Sequence, residues 1–240
     1  MRADGRTPDS LRTITVQTDF LSSEVPHALI RWGLTSVLCT ASVEERVPHF
    51  LRNTGRGWLT AEYNMLPAAT APRKGREGRN GRISGRTQEI QRLIGRSLRQ
   101  AVDLEKLGER QIVIDCEVLE ADGGTRTASV TGGWIALRMA LNKLVASGAI
   151  PAEALGPQVC AVSVGICDGE ALLDLDYPED SSAQVDANFV LAGEDGIVEI
   201  QGTGEKSPFA KAQFDAMYEL AHGARGRLFA IQNEALKVVK

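Results

Sequence analysis

Gly123-Gly124-Thr125-Arg126 lies between a strand-like and a helix-like run of the 240-residue chain. At such a junction the free N–H groups and the positive end of a helix favour an anion. Two glycines let the backbone approach an oxyanion, Thr125 adds a hydroxyl donor, and Arg126 adds a planar, permanently charged fork. A phosphate suits that set, although an ordinary turn with a solvated arginine has the same letters. Gly85-Arg86-Thr87 opens another helix-like run and offers a second arginine for the same anion. Asp180 and Asp186, separated by Ser181-Ser182-Ala183-Gln184-Val185, supply the oxygen donors that Mg2+ or Mn2+ requires, or else a polar turn.

Charge is segregated along the chain. Residues 73–99 hold nine basic side chains against Glu77 and Glu89, a balance of +7, while Leu144 through Glu205 contain no Lys or Arg, in a protein of net charge −4. The first stretch suits a polyanion and the second a cation. Arg73, Arg76, Arg79, Arg92, Arg96 and Arg99 are therefore candidate contacts to a nucleic-acid backbone, with few aromatics nearby for base stacking. His27, His49 and His222 are isolated, which argues against a histidine metal cluster or a local Ser-His-Asp set. Cys39, Cys116, Cys160 and Cys167 form no Cys-x-x-Cys pair, fall in apolar runs, and are expected as buried reduced thiols. No long apolar run or secretory leader is evident, so a soluble, cytoplasmic protein without a membrane partner is expected.

The elements that must position these groups follow from hydrophobic spacing. Strands are predicted at 13–17, 28–32, 36–43, 57–63 and 111–119, with an amphipathic helix at 87–102 that turns Arg92, Arg96 and Arg99 away from its apolar stripe. Residues 67–84, rich in Gly, Ala and Arg, are expected to form a mobile, exposed loop. A helix at about 127–146 buries one side through Val130, Trp134, Leu137, Leu141 and Leu144. Gly148 to Pro157 reads as the connection between an N-terminal lobe, 1–147, with the phosphate site and basic loop, and a C-terminal lobe, 158–240, with the carboxylates. In the second lobe, strands are expected at 159–166 and 171–176 around Asp168-Gly169, then at 186–191 and 197–201, with Asp174 and Asp176 on a solvated strand face. Ser207-Pro208 is expected to open a helix to about Ala221, and a separate last helix to cover about 225–239. The fold class is α/β (α+β), with mixed β-sheets packed against helices in two lobes.

These segments resemble the ribonuclease PH family over nearly the whole chain. The resemblance is carried by Asp4-Gly5-Arg6, residues 37–43, Thr60-Ala61-Glu62-Tyr63, residues 85–98, residues 121–129, Leu173 through Tyr177, Glu179-Asp180-Ser181 and Val185-Asp186, in that order. It implies the two-lobed ribonuclease PH fold, phosphate held by Arg86, Gly124, Thr125 and Arg126, and a catalytic metal at Asp180 and Asp186. It also implies a homohexameric ring, a trimer of dimers, that trims 3′ ends of tRNA precursors and other RNAs. Inorganic phosphate would be the co-substrate and nucleoside diphosphates the products, with polymerisation as the reverse reaction. Arg86, Arg126, Asp180 and Asp186 would then be the catalytic set. The family commonly has Arg and His after the Met-Leu-Pro stretch, where this chain has Ala68 and Ala71, so Arg73, Arg76 and Arg79 would have to supply the RNA grip. Two other readings stay open from the residues alone: a metal-dependent hydrolytic RNase, and a non-catalytic ring subunit that binds RNA.

Overall fold

Alternating burial along Gln111–Glu120 turns Ile112, Ile114, Cys116 and Val118 inward, and this strand is the axis of the first sheet. The computed structural model describes residues 2–77 and 81–237. Strands β1 (Ile14–Gln17), β2 (His27–Trp32), β3 (Thr35–Glu44), β4 (Trp58–Met65) and β5 (Gln111–Glu120) form a sheet of order β1-β2-β3-β5-β4. Only the β4–β5 pair is parallel. The crossover between those two strands carries helix α1 (Gly85–Leu98), which packs on β4, and the short α2 (Leu104–Leu107). Strands β6 (Val159–Cys167), β7 (Glu170–Leu173), β8 (Val185–Ala192) and β9 (Gly196–Gly204) form an antiparallel sheet of order β7-β6-β8-β9.

Helix α3 (Thr125–Ala146) packs on β2, β3 and β5 of the first sheet and on β6 of the second. One apolar side was expected for it, but Thr127 through Leu137 are buried without a break, because both its faces meet a sheet. The approach is close. A Cβ on Gly132 would stand 2.8 Å from the Ile30 side chain and one on Gly133 3.1 Å from Leu98, so the glycines set how near the helix lies to its neighbours.

Several expectations need correction. Helix α4 (Tyr177–Ser182) replaces the polar turn expected there: Asp176 accepts the Glu179 N–H at 3.0 Å, the Glu179 carboxylate accepts the Asp176 N–H at 3.1 Å, and Pro178 adds a fixed φ. Asp174, assigned to a solvated strand face, is 1% exposed, since β7 ends at Leu173 and the chain turns inward. Ser207-Pro208 opens no helix. Helix α5 (Lys211–Lys237) starts after Ala210, whose carbonyl accepts the first helical bonds and whose N–H donates to Gln213 Oε1 at 2.9 Å. Nor does α5 break near Gly223: buried Met217, Ala221, Ala224 and Leu228 hold one stripe on β6, which outweighs about 1 kcal/mol of helix propensity lost per glycine.

Helix α1 begins two residues earlier than expected, with Ser84 Oγ accepting the Thr87 N–H at 3.1 Å. The loop expected over 67–84 is not free at its start: Pro67 and Ala69 are buried, and Ala69 accepts a bond from the Ala121 N–H at 2.9 Å. Cys39, Cys116 and Cys160 are buried free thiols, whereas Cys167 is only half-buried.

Candidate active site

Three chain segments meet at a cleft of about 220 Å³ lined by Arg86, Gly123, Gly124, Thr125, Arg126, Tyr177, Asp180 and Asp186, among others. The first is the turn from β5 into α3. Gly123 and Gly124 have φ of +74° and +67°, left-handed backbone that a side chain would strain, and a Cβ on Gly123 would stand 2.7 Å from the Leu175 carbonyl. Thr35 fastens this turn, its hydroxyl donating to the Gly123 carbonyl at 2.7 Å and accepting the Asp122 N–H at 2.9 Å. Thr125 is buried with its hydroxyl 2.9 Å from Tyr63 Oη, so part of its hydrogen-bonding capacity is already used. Arg126 points its fork toward the second sheet, where Nη1 donates to Gln201 Oε1 at 3.2 Å and lies 3.7 Å from Glu89.

The second segment is the start of α1, which brings exposed Arg86 to the same cleft. Two arginines from the starts of two helices thus face one space, with the free N–H groups of those helix starts adding positive potential.

The third segment joins α4 to β8 and carries the carboxylates. Burial pushes the Asp180 carboxyl above its usual range against the pull of Arg126 and Arg86, with Glu205 adding to the rise. Burial first and the Asp180 charge second push Asp186 up to about 6, while Arg126 opposes the shift. Among the described residues Asp186 Oδ1 is buried with no hydrogen-bond partner. An unpartnered buried oxygen beside a second carboxylate is costly unless a cation satisfies both. No group of three or more His, Cys, Asp or Glu suited to a metal occurs among the described residues, so a cation here would rely on this pair and on bound substrate or water.

The basic residues divide. Arg73 and Arg76 are exposed on the loop after Ala69, and Arg79 lies outside the described residues. Arg92 and Arg96 line a groove with Glu89, Glu199 and Gln201 beside the cleft, Arg96 pairing with Glu199 at 3.1 Å. Arg99 is half-buried, its guanidinium 4.6 Å from the centre of the Trp58 ring and its Nε donating to Gly95 O. Lys74, Ser163, Asn188 and Gln201 were not singled out from the sequence. The first three line the cleft and the fourth braces Arg126. The one-signed basic run contained a signal for Lys74, but the other three arrive through the register of the second sheet.

Residues 10–141 match the first domain of the 3′ exoribonuclease family and residues 158–224 match its second domain. Ribonuclease PH of Rhodospirillum rubrum is 56% identical over 236 residues, which is 98% of each chain. Ribonuclease PH of Caulobacter vibrioides is 53% identical over 98% of this chain and 99% of its own. Among solved structures, rice (Oryza sativa) Rrp46 superposes with a TM-score of 0.76 at 20% identity, covering 97% of this chain and 98% of its own. The Archaeoglobus fulgidus exosome with RNA bound to the active site superposes at 0.78 with 21% identity, covering 95% and 91%. These two likenesses show a shared fold.

Proposed function

The chain belongs to the 3′ exoribonuclease family and is a phosphate-dependent exoribonuclease, and we propose that its reaction centre is the cleft between Arg86, Gly124-Thr125-Arg126 and the Asp180/Asp186 pair. The observation that carries this reading is the meeting, in one small cleft, of two helix-start arginines from the first half with two carboxylates from the second.

In this reading Arg86 and Arg126 hold inorganic phosphate, with the Gly124 backbone and the Thr125 hydroxyl completing the cradle. A phosphate oxygen attacks the last phosphodiester in line, the 3′ oxygen of the preceding nucleotide leaves, and a nucleoside diphosphate is released. Phosphate is already an anionic nucleophile, so no general base is required. Asp180 and Asp186 would hold a divalent cation, Mg2+ or Mn2+, and when bound it supplies Lewis-acid stabilisation of the charge on the transferring group. The unpartnered Asp186 oxygen supports that assignment. Arg126 is held by its bond to Gln201, so part of the charge stabilisation is in place before the reaction begins.

In this reading the RNA backbone reaches the cleft along Arg92 and Arg96, with exposed Arg73 and Arg76 on the loop, Arg99 at the far end of α1, and Arg79 as a further contact assigned from the sequence alone. The physiological substrates are tRNA precursors with 3′ extensions, acted on by a cytoplasmic homohexamer built as a trimer of dimers. No helix among the described residues is long and apolar enough to cross a membrane. The test is an RNA with a single-stranded 3′ tail, a divalent cation, and phosphate present or omitted. Diphosphates released only with phosphate are expected. Monophosphates without it would establish hydrolysis, and binding without shortening would leave a non-catalytic subunit.

A further inference from the structure

Asp174 is buried, and with φ of +58° it sits in left-handed backbone that few residues other than glycine adopt. Its Oδ1 accepts Nε and Nη2 of Arg12 at 3.1 and 2.7 Å, and its Oδ2 accepts the Arg12 backbone N–H at 2.6 Å and the Trp32 indole N–H at 2.7 Å. The carboxylate is thereby fully engaged. The remaining arm of Arg12, Nη1, donates to the Asp122 carbonyl at 2.5 Å. Asp122 begins the Gly-Gly turn of the phosphate cradle, and Asp174 begins the stretch that leads into α4 and Asp180. One guanidinium therefore clasps the two halves of the reaction centre from behind. Contact between them is tight: a Cβ on Gly124 would stand 2.9 Å from Arg12 Nη2, and Gly123 abuts the Leu175 carbonyl.

We propose that Arg12 and Asp174 are positioning residues that set the spacing between the phosphate cradle and the Asp180/Asp186 pair, an inference that rests on the function proposed above. Both are buried, and neither is among the residues that line the cleft. Each half of the centre has its own support. The cradle is held by Thr35, while α4 is held by its capping box and by Arg2, whose Nε and Nη2 each reach the Glu179 carboxylate at 2.7 Å. Loosening the Arg12 clasp should therefore leave both halves formed and disturb their separation. Displacements of about 1 Å in such a centre cost on the order of 10²-fold in rate.

The test compares Arg12→Lys, Asp174→Asn and Trp32→Phe. Lysine keeps the charge but lacks the fork that reaches the Asp122 carbonyl and Asp174 Oδ1 at once. Asparagine tolerates the left-handed backbone but removes the carboxylate charge that grips Arg12, leaving it the Asp122 carboxylate 3.9 Å away. Phenylalanine removes one hydrogen bond to Asp174 and leaves the clasp. Three quantities are measured for each folded variant: the melting temperature, the inorganic phosphate Kd by calorimetry, and kcat at saturating phosphate and RNA. Arg12→Lys should lose about tenfold to a hundredfold in kcat with phosphate Kd within about twofold of the parent. Trp32→Phe should keep the parent kcat even where it melts lower.

Parental kcat in Arg12→Lys overturns the proposal, as does an equal loss in Trp32→Phe at matched stability, which would mark a general packing effect. A phosphate Kd that weakens in step with kcat also overturns it, since Arg12 would then act through anion binding. Should Asp174→Asn fail to fold, the other two variants decide the matter. A parent protein that binds phosphate yet shows no phosphate-dependent turnover would instead refute the proposed function, and the positioning role with it.

Discussion

Arg126 donates from Nη1 to Gln201 Oε1 at 3.2 Å, so an arginine at the start of α3 is braced by a strand of the other sheet. Gln201 is itself oriented by donating from Nε2 to Glu89 at 2.9 Å and Glu199 at 3.1 Å. Replacing it with leucine should release the Arg126 fork and weaken phosphate binding by about fivefold, the usual worth of one hydrogen bond. Calorimetric titration with phosphate reads this directly. An unchanged Kd would mean that the brace has no part in preorganising the arginine.

Arg126 itself is assigned to the transition state as well as to binding. Arg126→Ala should lower turnover by about 10² to 10³, the common effect of losing one preorganised electrostatic contact. Lysine should restore little, because it lacks the two-pronged geometry. RNA affinity in phosphate-free buffer should barely move. If RNA binding is lost while turnover at saturation stays normal, Arg126 belongs to the RNA track.

Asp180→Asn and Asp186→Asn should each abolish turnover and leave RNA binding largely intact. Asp186 also makes a stability prediction in chelator-treated buffer. Its folded carboxyl titrates near about 6 against an ordinary value of 3.8, so the folded state holds a proton that the unfolded chain has released. Ionisation therefore opposes folding, fully above about pH 6 and progressively less as pH falls toward 3.8. Asp186→Asn should melt above the parent at pH 7.5, and the gap should close on acidification. Parallel melting curves at all pH values would contradict the shifted carboxyl.

Arg73, Arg76 and Arg79 should govern affinity rather than chemistry. Removing all three should raise KM for RNA with little change in kcat, and flatten the salt dependence by roughly 0.7 per lost phosphate contact on a single strand. A salt slope equal to the parent's would place the RNA path elsewhere.

Local signals carried much of this architecture. The spacing of apolar residues marked α1 and α3, alternation marked β5, and the Gly-Gly-Thr-Arg junction fell at the mouth of the cleft with Arg86 beside it. What failed was whatever depended on partners distant in sequence. Asp174 was expected on the solvated face of a strand, and its partner Arg12 is 162 residues away. Gln201 is an unremarked strand residue until the second sheet sets it against Arg126, 75 residues earlier. The two helices expected on either side of Gly223 are one, because the continuity of α5 rests on tertiary burial that local letters do not show.

The uninterrupted course of α5 leaves a reserve for protein engineering. Gly223 and Gly226 are exposed in mid-helix, and a methyl group added at either would meet nothing within 4 Å. Alanine at both should gain about 1.5–2 kcal/mol from helix propensity alone. In a chain this long that is a rise of several degrees in Tm, measurable by calorimetry. Such a heat-hardened background would keep fragile cleft variants folded at assay temperature, so that lost turnover could be separated from lost protein.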